Sequence, residues 1–211
     1  MKLRNRRILL NCSNAALLQP LASELAEHWG ARLVVVGLDE GRQMVLSLPR
    51  MGDRHLYMSE SVYCSQGRRL ISKRVGTEID IVLHCLDGES LSRRAGSYLD
   101  QIRKGKDSYD LSMMLLNQLL IPTLVHRESP AIFNVEIVNS LTANWLFKRH
   151  ESAISCYTRE LKQKLYHTRI RVGYSTVRLY PQQILQPCSV GVAKSHFRTT
   201  QQIGKALTEK L

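Results

Sequence analysis

Apolar residues fall in short unbroken runs along this chain, and amphipathic stretches separate the runs. RILLN (7–11) is the first run. Residues 15 to 29 follow with Leu18, Leu21, Ala22, Leu25, Ala26 and Trp29 on one face, at the helical period of about 3.6. Pro20 fits if that helix begins near Leu17, because proline costs little in a first turn. Gly30 is a suitable stop. ARLVVVGLD (31–39) is a second apolar strand, of the kind found in parallel sheets covered on both faces.

The alternation continues. A short helix is predicted over 40–50, a strand at HLYMSE and a basic helix over 61–74 stopped by Gly76. EIDIVLHC is a buried strand. SYDLSMMLLNQLL (108–120) is a helix ending at Pro122, and AIFNVEIV is a strand. A long helix is predicted over 145–166, with Leu146, Ala153, Ile154, Tyr157, Leu161 and Leu165 as its core stripe. IRVGYSTVRL is the sixth strand. Thr199 or Thr200 can cap a last helix, QQIGKALTEKL. Strands alternating with helices predict an α/β fold: a three-layer, doubly wound, Rossmann-like parallel sheet of about six strands. The chain reads as a single domain over 1–211, with a basic extension at 1–5. Right-handed crossovers place the carboxyl ends of the strands along one rim, where open α/β sheets bind ligands.

Charge adds a second theme. The chain carries 30 Lys and Arg against 18 Asp and Glu, a formal +12. Lys2, Arg4, Arg6 and Arg7 form one cluster; Arg68, Arg69, Lys73 and Arg74 another; Arg93, Arg94, Arg103, Lys104 and Lys106 a third. Such a surface attracts acidic proteins, nucleic acids or anionic surfaces. The five cysteines are an odd number with no CxxC pair, which argues against a disulfide framework and a zinc site. The histidines show no metal-binding spacing, so no metal is expected. No apolar run approaches the ~18 residues of a membrane span. A cytoplasmic protein is expected.

Four stretches in this order resemble the short-chain dehydrogenase/reductase family. Residues 7–39 resemble its first βαβ unit, with Asp39 where the family often holds the adenosine ribose. VGTEIDIVLHCLDG is similar to its Gly-x-Ile-Asp-x-Leu-Val-Asn-Asn-Ala-Gly segment. LLNQLLIPTL resembles the helix ending in Leu-Leu-Pro. SAISCYTRELKQKLYHTRIRV follows the family's long helix and its short turn into Ile-Arg-Val. The resemblance covers about residues 6–205, and the sheet it implies is C-terminally shortened.

The resemblance also marks departures. The family cradles a nicotinamide dinucleotide on a glycine-rich first turn, whereas NCSNAALLQPL has no glycine. Leu17, Leu18 and Gln19 are expected to fill that groove. The family's tyrosine and lysine, four residues apart, fall on Phe147 and Glu151, and no Tyr-x-x-x-Lys occurs anywhere in the chain. The serine position falls on Glu136 or Ile137, with Ser140 as a displaced substitute. The Asn-Asn-Ala-Gly positions are His84, Cys85, Leu86 and Asp87, and the supporting asparagine falls on Tyr109 or Asp110. The Pro-Gly after the sixth strand is absent.

These departures set the expectation of a non-catalytic protein without a cofactor, acting as a structural, regulatory or assembly subunit. The family commonly dimerises through the helices equivalent to 108–120 and 145–166. An interface is therefore expected at Trp145, Lys148, Arg149, Ser152, Cys156 and Arg159, toward a second copy, an active relative or an acidic subunit. Two alternatives stand beside it. One is binding of nucleic acid or an anionic surface through the +12 charge. The other is an NAD(P)-dependent oxidoreductase of altered chemistry, resting on Asp39, His84 and Asp87. The sixth strand is expected at the sheet edge, with Arg169, Arg171 and Arg178 guarding it or a partner strand pairing there.

Overall fold

The computed structural model describes residues 3–13, 15–36, 55–60, 62, 64–75, 77–87, 109–139, 153–179, 200–207 and 209. Six strands form one parallel sheet: β1 (Arg7–Cys12), β2 (Arg32–Val36), β3 (Leu56–Met58), β4 (Ile81–Asp87), β5 (Ala131–Asn139) and β6 (Arg171–Leu179). Their order is β3-β2-β1-β4-β5-β6, and every pairing is parallel. The order reverses between β1 and β4, which makes a switch-point crevice at their carboxyl ends. This is the doubly wound sheet that the alternating pattern predicts.

The apolar runs are continuous because helices cover both faces. On one face lie α1 (Ala15–Ser23), a π-helical turn (Glu24–His28) and α5 (200–207). Leu10, Leu33, Leu83 and Phe133 meet Leu21, Leu25, Ile203 and Leu207 there. On the other face lie α2 (Ser65–Val75), α3 (Tyr109–Leu124) and α4 (Ala153–Lys164). Ile71, Leu116, Leu120, Leu161 and Leu165 pack there against Leu9, Val34, Val82 and Ile132.

Two helices differ from the pattern reading at prolines. The first begins at Ala15, so Pro20 lies beyond its first turn and denies the Ala16 carbonyl a partner. The helix then widens into the π turn, where the Trp29 amide bonds the Glu24 carbonyl at 3.2 Å. Leu17 and Leu18 are turned into the core and only Gln19 is exposed, so those two leucines are core residues. The α3 helix does not end at Pro122 but runs on to Leu124. The carbonyl left without a donor belongs to exposed Gln118, where water can bond it, and the Val125 amide resumes the ladder on Ile121 at 3.2 Å. The basic helix starts at Ser65, four residues later than its charge pattern suggests. The predicted helix at 40–50 and the 145–152 part of the long helix lie outside the described residues.

At the amino ends of the strands one carboxylate ties three elements together. Asp80 accepts from the Arg7 amide at 2.9 Å and from Arg127 Nε and Nη2 at 3.0 and 2.7 Å. Arg7 also pairs with Glu78. Among the described residues β6 is the last strand of the sheet.

Candidate functional site

Parallel register carries a row of polar side chains across four strands. Asn11 of β1 pairs with His84 of β4, His84 with Asn134 of β5, and Asn134 with Tyr174 of β6. Two residues toward the carboxyl ends, on the same face, the row is Leu86, Glu136 and Thr176. This face lies under α3 and α4. Asn11, His84, Asn134 and Glu136 are all buried, in a sheet whose other central positions are apolar. A buried polar group is costly unless hydrogen-bonded, so its partners matter.

The left half of the row is one closed network. The Asn11 amide nitrogen reaches His84 Nδ1 at 3.1 Å and Ser112 Oγ at 3.1 Å. His84 Nε2 lies 3.0 Å from Asn117 Oδ1, and the Asn117 amide nitrogen donates to the Tyr157 hydroxyl at 3.2 Å. These bonds assign the tautomer: Nδ1 accepts from Asn11 and Nε2–H donates to Asn117. Burial lowers the His84 pKa from 6.5 to about 4, against the opposing effect of the Asn117 bond, so the ring is neutral. Beside it, Cys85 is buried and its thiol pKa is pushed up by desolvation and by Cys12. The Ser13 amide closes the carboxyl ends of β1 and β4 by donating to the Cys85 carbonyl at 2.9 Å.

The right half of the row is more open. Asn134 Nδ2 donates to Thr158 Oγ1 at 2.8 Å, and that hydroxyl donates to the Ile154 carbonyl at 2.6 Å. Asn134 Oδ1 is buried without a partner. The Tyr174 hydroxyl donates to the carboxylate of Glu136 and accepts from Thr176 Oγ1 at 3.0 Å. Glu136 is 1% exposed, whereas Tyr174 is half-buried and Thr176 is exposed. A phenol thus stands between a shielded carboxylate and the surface. Tyr174 also borders a groove of about 490 Å³ between α4 and β6, whose polar wall is Ser155, Thr158, Arg159, Lys162 and Arg171.

The sequence-predicted residues divide between these places. Asp39, Arg93, Arg94, Arg103, Lys104, Lys106, Ser140, Trp145, Phe147, Lys148, Arg149, Glu151 and Ser152 lie outside the described residues. Cys156 and Arg159 are on α4; Cys156 is half-buried, and exposed Arg159 borders the groove toward β6. His84 sits in the middle of β4 and not near its carboxyl end as expected, inside the core network and out of solvent's reach. Of the basic clusters, Arg6 and Arg7 pair with Asp80 and Glu78, Arg74 pairs with Glu60 at 3.1 Å, and Arg68 Nη1 bonds the Val62 carbonyl at 2.9 Å. Sequence reasoning singled out Glu136 as an oddity at a serine position but missed Tyr174. The available signal was a tyrosine and a threonine at alternate positions of a strand beside that glutamate. Among the described residues no group of three metal-ligating side chains occurs, and no helix is long and apolar enough to cross a membrane.

No protein-family model and no curated protein matches the sequence. Solved structures do match the fold. A short-chain dehydrogenase/reductase, named glucose/ribitol dehydrogenase, from Brucella melitensis superposes with a TM-score of 0.60 at 20% identity, over 87% of this chain and 80% of that one. A 3-ketoacyl-(acyl-carrier-protein) reductase from the same organism, complexed with NADH, gives 0.57 at 17% identity, over 83% and 76%. A short chain oxidoreductase from Pseudomonas aeruginosa PAO1, described as containing an atypical catalytic center, gives 0.58 at 14% identity, over 96% and 89%. At these identities the likeness is one of fold, and the fold is that of the short-chain dehydrogenases/reductases. This corrects the expectation of a non-catalytic protein. The three solved structures named above are described as oxidoreductases, and one of them as containing an atypical catalytic center, so departure from a family motif does not establish inactivity.

Proposed function

We propose that this chain is an enzyme of altered chemistry on the short-chain reductase fold, acting on small hydroxyl or carbonyl compounds. The observation that carries the reading is the Tyr174–Glu136 pair. The phenol donates to a carboxylate that is almost wholly buried and accepts from Thr176. A substrate hydroxyl that donates to Tyr174 Oη can lose its proton while the phenol proton passes to Glu136. In reverse, the carboxyl of Glu136 returns that proton through Tyr174 to the alkoxide oxygen. Thr176 keeps the phenol oriented. This is general acid–base chemistry by a positioned relay. It replaces the tyrosine–lysine pair of the family pattern with a tyrosine–glutamate pair on adjacent strands.

The fold family implies a nicotinamide dinucleotide. The described residues of the first turn do not fit its pyrophosphate in the family manner. Ser13, Leu17 and Gln19 stand where glycines let the backbone approach phosphate. The Ser13 amide is committed to Cys85, and Leu17 is fully buried. Tyr174 and Glu136 are therefore assigned the proton transfer alone; the hydride of an alcohol–carbonyl conversion needs a separate two-electron partner, for which the assay supplies NAD(P)(H).

The test is turnover of a panel of aldehydes, ketones and their alcohols, followed by NMR of the substrates and by nicotinamide absorbance with added NAD(P)(H). The wild type should convert a panel member, and Tyr174→Phe should lose about 100-fold or more while melting normally. No conversion of any member, or full activity in Tyr174→Phe, would overturn the reading.

A further inference from the structure

The turn that leads from α4 into β6 holds an aromatic side chain out in water. Tyr166 is 79% exposed, and among the described residues only Leu70, on α2, is another exposed large apolar side chain. The turn itself fixes this exposure. Leu165 and Ile170 are buried on either side of it. The Thr168 amide and hydroxyl both donate to the Leu165 carbonyl, at 2.9 and 2.8 Å, and the Ile170 amide donates to Thr168 Oγ1 at 3.2 Å. The His167 ring meets the Tyr166 ring edge to face, with centroids 5.2 Å apart. Exposed Lys162, Lys164 and Arg169 flank the tyrosine, and residues 161–170 hold no acid. A stretch of four residues spans at most about 14 Å, so the chain keeps all three cations near the ring. No ion pair among the described residues involves them.

We infer that this turn docks a single-stranded nucleic acid, with a base stacked on Tyr166 and phosphates paired with Lys162, Lys164 and Arg169. An open aromatic ring beside cations matches the two features that every single strand presents, a base face and a charged backbone. A duplex keeps its bases stacked inside and has no use for the ring. A protein interface or a membrane surface calls for a wider apolar patch, whereas Tyr166 and Leu70 stand singly on different elements. The net charge of +12 draws a polyanion toward the surface from a distance. A turn already held by its own hydrogen bonds loses little freedom when the strand arrives. The turn precedes Arg171 at the amino end of β6, and the Tyr174–Glu136 pair plays no part in the binding.

Fluorescence anisotropy tests it, with short labelled oligo(dT) and oligo(rU) strands titrated with the full chain at several sodium chloride concentrations. Binding of at least one strand is expected, and the tighter of the two says whether DNA or RNA is preferred. The logarithm of the affinity should fall against the logarithm of salt with a slope of about −2, since each of three phosphate contacts contributes about −0.7. Tyr166→Ala should weaken binding by at least about tenfold, while Tyr166→Phe, which keeps the ring, should stay within about twofold. Lys164→Gln and Arg169→Gln should each make the slope shallower by about 0.7, and Lys73→Gln, the same change of charge on α2, should leave it as it was. Thermal melts confirm that each exposed substitution leaves the fold intact. No binding of either strand would overturn the inference, as would binding that Tyr166→Ala leaves unchanged. Equal effects of Lys73→Gln and Lys164→Gln, or a duplex bound as tightly as the single strand, would overturn it too. Tyr166-dependent binding of phosphatidylserine vesicles or of polyglutamate, without binding of the oligonucleotides, would replace it with a membrane or an acidic protein.

Discussion

Acidification should unfold this protein in a way that His84 controls. In the folded chain the ring is fully buried and neutral, held between Asn11 and Asn117, with a pKa lowered from 6.5 to about 4 by desolvation. The unfolded chain takes up a proton at the ordinary value. Between the two values the unfolded state therefore binds more protons than the folded one, and stability falls as pH falls. Above pH 6.5 this penalty is absent. Below it the penalty grows by ~1.4 kcal/mol per pH unit and levels off near pH 4, at about 3 kcal/mol in all. That is a large share of the 5–15 kcal/mol that holds a typical domain. Urea unfolding of the wild type and of His84→Gln, followed by circular dichroism across this range, isolates the effect. Glutamine is neutral at every pH and keeps a donor and an acceptor. It should cost about 1–3 kcal/mol at neutral pH through imperfect bonds to Asn11 and Asn117. Its stability should nevertheless fall less steeply with acid, so that the wild type's advantage at pH 7 disappears or reverses by pH 4. Parallel pH curves would refute the buried neutral histidine.

Asp80→Ala should destabilise by about 3 kcal/mol in denaturant melts, because it strands Arg127 and the Arg7 amide, while Arg127→Met in the same chain should recover part of the loss by removing the stranded charge. Gly173→Ala should cost about 1–3 kcal/mol, since a Cβ there runs into the Phe133 ring, and Phe133→Leu in the same chain should return some of it. Thr158→Val should cost about 1–3 kcal/mol by leaving the Asn134 amide nitrogen unpartnered in the core, read as a lowered melting temperature.

The sheet was legible because parallel strands buried on both faces are written as unbroken apolar runs. Residues 7–11, 31–36 and 131–138 need only hydrophobicity to be recognised. Helix ends were less so. Pro20 and Pro122 are strong local stop signals, but packing of Leu21, Leu25 and Leu124 into the core overrode them, and the backbone adjusted by a π turn in one case and an exposed carbonyl in the other. The candidate site was legible only in part. His84 was visible as a polar residue in an apolar strand, but the other members of its network, Asn11, Ser112, Asn117 and Tyr157, come from three other elements, and no spacing in the chain joins them. Glu136 was visible as a departure from a family pattern. Tyr174 became meaningful only once register set β6 against β5. The family template directed attention to the helix positions Phe147 and Glu151, and so away from the strand that carries the phenol.

Turnover by Glu136→Gln is the most direct measurement of the Tyr174–Glu136 relay. With a panel substrate that the wild type converts, Glu136→Gln should lose about 100-fold or more in kcat/KM while melting as the wild type does, because the amide cannot take the phenol proton. Full activity in a folded Glu136→Gln would contradict the assignment.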